Sequence, residues 1–490
     1  SGGDPQGAWR AQGQDALAER LANYAAMNTG VAKNVILFVA DGNGVNSNYA
    51  TRLFEGQMAG GYGDEHVLAH ETMPWMALSK TYNTNAQTPD SAGTGTAMNT
   101  GVKTKAGVIG IDETAARGDC VAVEGAKITP FAKQMYNAGK KVGVVSTARI
   151  THATPAAVYA HSADRNFEAY VPAGCDQPDI ASQLIDSMTG PDAFVHVAMG
   201  GGRRNFKNAT EIDGEGEMGE RMDGRDLVQE AMAAGAQYAG NTAQFKELDM
   251  SGTKPTLALF EASHVLYEHD RVTMEEDEPS LAEMTEAAIK MLESNEGGFY
   301  LMVEAGRVDH ANHEGNMYRT YVMTDGVAYQ EAVKKAMEMT GDDTLIISTA
   351  DHGHAITMNG YCGRGSKVHG LCTAIDNEGE MTTGEPLLAA DGLPFTVIVF
   401  GNGPGSPLYM GGANAAGLNG DLMVVRPNIT EEIATSPDHI QHAAVPMDSE
   451  THAGGDVAIY AQGPWAHLFT GTVEQSYIYT VMHYAVFGGH

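Results

Sequence analysis

Asp309 and His313 stand four residues apart in VEAGRVDHANH (303–313), so a helical turn would present both on one face. His452, in ETHAGGD, would complete a set of two imidazoles and one carboxylate. Nitrogen and oxygen donors of this kind, with coordination positions left open, suit a catalytic zinc ion. Asp351 and His352 form a second partial set, which Asp41 would complete as another zinc site. The remaining oxygen of Asp41, with Thr154 and Glu304, offers hard oxygen donors that suit magnesium with waters filling its octahedron. A candidate nucleophile lies in TPDSAGTGTA (88–97). There Pro89 and Asp90 interrupt the preceding segment and Ser91 follows where a helix begins, with Asp90 or Ser91 available as its cap. The partial positive charge of that helix end favours an anion. An alkoxide attacking a phosphoryl or acyl centre is the chemistry the stretch fits. Singly, each feature has a plainer reading as a helix cap or a surface turn; it is their joint placement that argues for metals.

That placement follows from the elements that carry them. The apolar run Val35 to Ala40 ends in Asp41, and 141–157 reads as a strand leading into Thr151, His152 and Thr154. The stretch 298–313 leads into Glu304, Asp309 and His313, and 343–354 leads into Asp351 and His352. Residues 395–403 form a further strand without polar ligands at its tip. Helical patterns lie between, at 129–139 and 279–294. Alternation of this kind predicts an α/β fold with a doubly wound, mostly parallel central sheet, helices on both faces, and ligands outside the carboxyl ends of the strands. Residues 1–28 read as an amphipathic helix or arm, with Trp9, Leu17, Leu21 and Tyr24 at helical spacing, covering the sheet or a partner subunit. A single catalytic domain is expected over 29–355 and 441–490, with 356–440 an insertion over the site or at a subunit contact that contains one core strand near 395–401. Residues 262–279 read as a solvated acidic segment.

Composition narrows the function classes. The 490 residues carry 62 Asp+Glu against 30 Lys+Arg, a formal net charge of -32. Such a surface repels nucleic acid and anionic membranes. The charged fraction is only 19%, below the usual ~25%, so the imbalance comes more from missing bases than from surplus acids; we read it as adaptation to a saline medium. No apolar run approaches the ~18–20 residues of a transmembrane helix. The sequence at Ser1 has no basic and apolar leader, so a signal peptide, if there was one, has been removed. Four cysteines, at 120, 175, 362 and 372, allow three pairings and match no common zinc-ribbon spacing. The sequential pairing, Cys120 with Cys175 and Cys362 with Cys372, closes the shorter loops, and two disulfides favour an extracytoplasmic setting, periplasmic or secreted.

The strings VADGNG at 39, TPDSAGTGTA at 88, THATPAA at 151, VEAGRVDHANH at 303, STADHGH at 348 and ETHAGGDVAIYAQGPWAHLF at 450 together resemble alkaline phosphatase, in the family's order and over nearly the whole chain. The resemblance is closer to the animal-type enzymes, because His152 and His310 stand where the best-known enteric bacterial enzyme has Asp and Lys. It implies a homodimeric hydrolase of small phosphate monoesters with an alkaline optimum, two zinc ions and one magnesium ion. Ser91 would become phosphoserine, and Arg165 in HSADRN would clamp two non-bridging phosphate oxygens. Asp309, His313 and His452 would hold the first zinc and Asp41, Asp351 and His352 the second. Asp41, Thr154 and Glu304 would hold magnesium with His152 near it, and His310 would lie close to the phosphate. The two histidines leave the third metal's identity open. Animal members carry a further calcium site that Phe260, Glu261 and Glu278 loosely match, although the segment at 204–225 is shorter here; that site stays open too.

Other hydrolases on a two-metal scaffold compete with this reading. A sulfatase would carry a modifiable Cys or Ser in a CxPxR-like run, and TPDSAGTGTA lacks the Arg. A diesterase tends to lack the third-metal set and the arginine clamp, whereas Thr154, Glu304 and Arg165 are present. A phosphate- or metal-binding protein without turnover would have no use for Ser91.

Overall fold

The computed structural model describes residues 5–274, 277–315, 321–375, 382–407, 426–436 and 439–488. Its centre is the strand Asn34–Ala40, paired in parallel with Phe299–Ala305 on one side and Thr344–Thr349 on the other. Successive side chains of a strand point to opposite faces. Accordingly Val35, Leu37 and Val39 enter one core and Ile36, Phe38 and Ala40 the other. A strand covered on both faces needs an unbroken apolar run, which is what this stretch has.

Beyond Phe299–Ala305 the sheet continues in parallel through Lys141–Arg149, Val197–Gly201, Thr256–Leu259 and Gln237–Ala239. Beyond Thr344–Thr349 lie Val457–Gln462, antiparallel to both neighbours, then Trp75–Lys80 and Thr472–Glu474. The result is a ten-stranded, mostly parallel sheet between two layers of helices, as the alternation predicted. Helix Phe131–Asn137 contributes to one core. Leu281–Glu293 contributes to the other, and Ser280 and Glu283 close its first turn as a capping box.

The structure refines two expectations and corrects a third. The strand near 395–401 is observed at Ile398–Gly403, and it contributes Ile398 and Phe400 to the core from outside the central sheet, in a separate three-stranded sheet with Ile356–Met358 and Ala443–Pro446. Only part of it is covered, with Ile398 and Phe400 buried and Gly401 exposed, which is the pattern of a strand packed on one face. The opening helix, Pro5–Ala25, expected over the sheet or a partner subunit, touches the sheet near its end and is otherwise largely exposed. Trp9 is 73% and Leu21 62% exposed, and Tyr24 makes an edge contact with Trp75. The acidic segment at 262–279 is not simply solvated, because Glu278 is buried. Part of the insertion, 408–425, lies outside the described residues.

Both disulfides pair sequentially, Cys120 with Cys175 and Cys362 with Cys372, across 55 and 10 residues. Loop closure in the unfolded chain makes the longer one worth about 4 kcal/mol and the shorter about 3 kcal/mol. Alanine at both Cys120 and Cys175 is therefore expected to lower the unfolding free energy more than alanine at Cys362 and Cys372. Denaturant titration of the two double variants checks this, and the reverse order would contradict it.

Candidate active site

Helix Ser91–Thr100 is built from small residues, and all ten are buried. Asp90 has extended backbone, and its carboxylate accepts the Gly93 N–H at 3.1 Å. Asp90 is thus the cap, which leaves the Ser91 hydroxyl free for another partner. Gly93 is required beside it. A Cβ at that position would lie 2.2 Å from Asn83 Nδ2, and Asn83 Oδ1 accepts the Asp90 N–H at 2.9 Å. A side chain at 93 would therefore push away the group that fixes the cap.

Ser91 Oγ, in a residue 3% exposed, lies 3.3 and 3.4 Å from the two Asp41 oxygens and 3.1 Å from His352 Nε2. Asp41 follows its strand directly and is succeeded by Gly42 at φ +73°. A Cβ on Gly42 would meet His354 Nε2 at 2.4 Å, so this turn needs glycine on two counts. Asp351 Oδ1 accepts the N–H groups of Gly42 and His352 at 3.0 and 2.9 Å, and Thr94 Oγ1 donates to its Oδ2 at 3.3 Å. Asp41, Asp351 and His352 thus form one tight donor set.

Asp309 and His313 share the short helix Arg307–His313. Asp309 Oδ1 lies 3.4 Å from His313 Nε2 and 3.2 Å from His452 Nε2. The two Nε2 atoms are only 3.0 Å apart. The other nitrogen of each ring faces a backbone carbonyl: His313 Nδ1 that of Glu450 at 2.5 Å, His452 Nδ1 that of Pro89 at 2.8 Å, and His352 Nδ1 that of Gly353 at 3.2 Å. A carbonyl accepts only, so each Nδ1 carries a hydrogen, and in the neutral ring Nε2 is left with a lone pair to give to a cation. Facing lone pairs beside a carboxylate fit a cation between them. The His352 ring stacks on that of His452 at 3.6 Å, so the two donor sets adjoin.

The carboxylates point the same way. Burial, then the charges of Asp351, Asp309 and Glu304, hold the Asp41 carboxyl well above the usual range. Burial likewise raises Asp351 and pushes Glu304 up to about 7. Ser146 Oγ donates to Glu304 Oε2, while Oε1 has no partner among the described residues. Thr154 Oγ1 is 3.5 Å from Asp41 Oδ2, so Asp41, Thr154 and Glu304 bring hard oxygens to one place. Negative groups gathered without enough positive side chains are what bound cations would neutralise. The residues therefore fit the metals that the sequence resemblance implies.

Arg165 reaches this site from the side. Its Nη1 is 3.1 Å from Asp90 Oδ2 and its Nη2 3.3 Å from His152 Nε2. His310 packs edge-on to His152, ring centroids 5.6 Å apart. The residues that the sequence resemblance gives to the phosphate and to the three metals thus lie in one connected cluster, whereas Phe260, Glu261 and Glu278 lie outside it. Three that sequence reasoning missed are His354, Glu450 and His264. His354 Nε2 meets Asp309 Oδ1 and its Nδ1 meets Glu450 Oε2, both at 2.7 Å. Burial disfavours a charge on His354, but hydrogen bonds to Asp309 and Glu450 prevail and carry it up to about 10. It fixes the Asp309 carboxylate in place. The spacing of His354 two residues after His352, and of Glu450 two before His452, was the available signal, and His354 pairs with His452 across the antiparallel strands Gly353–His354 and His452–Ala453. Away from the site, burial and then the charge of Glu261 push Glu278 up to about 9.

The family model described as alkaline phosphatase matches residues 32–487. The chain is 39% identical to the tissue-nonspecific alkaline phosphatase isozyme of Gallus gallus, with 97% of this chain and 88% of that one covered. It is also 39% identical to an alkaline phosphatase of Gadus morhua, over 97% of this chain and 96% of that one. Among solved structures, the alkaline phosphatase of Thermus thermophilus superposes with a TM-score of 0.65 at 24% identity, covering 95% of this chain and 93% of that one.

Proposed function

Because the chain belongs to the alkaline phosphatase family and is a phosphomonoester hydrolase, we propose that Ser91 is its nucleophile, working in a site of two zinc ions and one magnesium ion. The observation that carries this reading is the Ser91 hydroxyl, buried at a helix N-terminus between Asp41 and His352, with no structural duty as a cap. Asp309, His313 and His452 would hold one zinc, Asp41, Asp351 and His352 the other, and Asp41, Thr154 and Glu304 the magnesium. When bound, the metals supply positive charge at both ends of an in-line displacement and toward the phosphoryl oxygens.

The chain's own groups account for the rest. Ser91 Oγ, losing its proton, forms a bond to phosphorus as the ester P–O bond breaks and the alcohol departs. The product is phosphoserine at Ser91. Water then attacks phosphorus, the Ser91 O–P bond breaks, and inorganic phosphate leaves as Ser91 regains a proton. Arg165 offers a planar fork to two non-bridging oxygens, and its bonds to Asp90 and His152 orient that fork. Charge spread over the phosphoryl oxygens is met by groups already in place, which is where most of the barrier reduction arises. His152 and His310 line the phosphate side. An alkaline optimum follows from a deprotonated attacking oxygen in each step.

Two disulfides support an extracytoplasmic setting, and no described helix is long and apolar enough to cross a membrane. The exposed Trp9, Leu17 and Leu21 of the opening helix support a homodimer in which that helix lies on the partner. The test of the activity is turnover of a nitrophenyl phosphate monoester against its diester by zinc- and magnesium-loaded protein at alkaline pH. The monoester is expected to be preferred by at least about 10²-fold; a diester preference would overturn the reading.

A further inference from the structure

Arg165 is carried by no helix or strand. It lies in the turn that follows the isolated bridge between Ile109 and Ser162, and its guanidinium has single contacts to Asp90 and His152 at 3.1 and 3.3 Å. A side chain with so many rotatable bonds presents its fork in one place only if its backbone is fixed. Main-chain bonds fix the approach to it. The N–H groups of Ser162 and Ile109 donate to each other's carbonyls at 2.8 and 3.0 Å, and the Ala163 carbonyl accepts the Gly118 N–H at 2.9 Å. The Arg165 N–H itself goes to the Gly107 carbonyl at 2.9 Å.

Between these points, residue 164 is held by a side chain from the other segment. Arg117 Nε and Nη2 donate to the two oxygens of Asp164, both at 2.9 Å, the parallel two-bond geometry in which guanidinium and carboxylate bind most strongly. Asp164 Oδ1 also accepts the Asn166 N–H at 2.9 Å, so one carboxylate ties the residues on both sides of Arg165 to Arg117. The same arginine packs against Gly107. A Cβ there would come within 2.5 Å of Arg117 Cδ, Nε and Cζ, and Gly107 has φ +83°, so the position needs glycine on two counts. Arg117 therefore grips the residue before Arg165 and covers the residue whose carbonyl holds Arg165. With the Arg117 side chain 43% exposed, the pair contributes little to overall stability. Its place beside the phosphate clamp is what it offers.

We propose that Arg117 is a positioning residue for Arg165: through Asp164 and Gly107 it fixes the backbone from which the Arg165 fork reaches the phosphoryl oxygens. The proposal rests on the reading of Arg165 above and deepens it, since affinity for the phosphoryl group then depends on an ion pair outside the pocket.

The test compares metal-loaded wild type with Arg117→Ala, Arg117→Lys, Asp164→Asn, Arg165→Ala and the double variant Arg117→Ala/Arg165→Ala. The KM for nitrophenyl phosphate and the inhibition constant of inorganic phosphate are measured, with Tm beside them. In Arg117→Ala both constants rise about tenfold, within the range for residues coupled in one ion-pair network, while Tm stays within about 2 °C of wild type. Asp164→Asn, which keeps an acceptor for Asn166 and loses the charged fork, raises them as well. Arg117→Lys keeps the charge without the fork and recovers only part of the loss. Where Arg165 is already alanine, Arg117→Ala changes both constants by less than about twofold. A rise of equal size in that background would make Arg117 a structural residue and overturn the proposal, as would constants unmoved in Arg117→Ala. Constants unmoved or lowered in Asp164→Asn, beside a rise in Arg117→Ala, would show Arg117 binding phosphate itself and would overturn it too. Arg165→Ala is the control for the clamp. Unmoved constants there reject the reading of Arg165, whereas raised constants there beside an unmoved Arg117→Ala reject the positioning role alone.

Discussion

Replacing Ser91 by alanine is expected to lower nitrophenyl phosphate turnover by at least about 10³-fold while leaving the metal content unchanged. The Ser91 hydroxyl lies at the helix N-terminus between Asp41 and His352 and has no capping duty, and for that reason it is given the bond to phosphorus. The groups that would hold the metals do not depend on it. Asp41 is fixed by its position at the end of a buried strand, Asp351 by the N–H groups of Gly42 and His352, and the imidazoles by backbone carbonyls. Alanine at 91 also preserves the helix, because the cap is Asp90. Metal analysis beside steady-state kinetics checks both halves of the expectation. Near-normal turnover would remove Ser91 from its role, and lost metal would make it a structural residue of the site.

Stripping the metals with a chelator is expected to abolish turnover and to destabilise the fold increasingly as the pH rises. Glu304 sets the sign. Its pKa is raised from 4.5 to about 7 in the folded, metal-free chain, so between those values the folded state holds more protons than the unfolded one. The Glu304 contribution to the stability of the metal-free protein therefore falls as pH climbs through that window. Buried histidines held below their usual range, such as His70, contribute in the opposite direction in loaded and stripped protein alike. Asp41 and Asp351 shift in the same direction as Glu304 and add to its effect. Bound cations neutralise these carboxylates and remove the penalty. The gap in Tm between loaded and stripped protein is thus expected to be wider at about pH 8 than at about pH 5, and re-addition of zinc and magnesium should close it. A gap that stays constant or narrows with rising pH would show that the buried carboxylates are not the origin of the metal dependence.

Much of this candidate site was legible in the chain because a parallel strand buried on both faces writes itself as an apolar run, with a candidate ligand just beyond it or at its end. Asp41 was found that way, Asp351 by its place just past a buried strand that ends in Ser348 and Thr349, and Glu304 by its place near the end of an apolar run. The margins of the sheet were not legible. Gln237–Ala239 and Thr472–Glu474 have three residues each, too short for any period to appear, and Val457–Gln462 runs antiparallel among strands expected to be parallel. The strand at Ile398–Gly403 misled because its apolar run matches that of a central-sheet strand, while its pairing is settled by contacts distant in sequence. His354 and His264 escaped for a related reason. Each acts through a partner far along the chain, Asp309 for the former and Arg149 for the latter, and spacing carries no trace of such pairs. The cap shows a local ambiguity resolved by structure: Asp90 and Ser91 could each have served, and the assignment to Asp90 is what leaves a hydroxyl for chemistry.

The most direct measurement of the central claim is to incubate metal-loaded protein with substrate or inorganic phosphate, quench it in acid, and locate the covalent phosphoryl group by peptide mass spectrometry. One phosphoryl group on Ser91, absent from Ser91→Ala, is the predicted result. A label on any other residue, or none from a protein that turns over nitrophenyl phosphate, would contradict it.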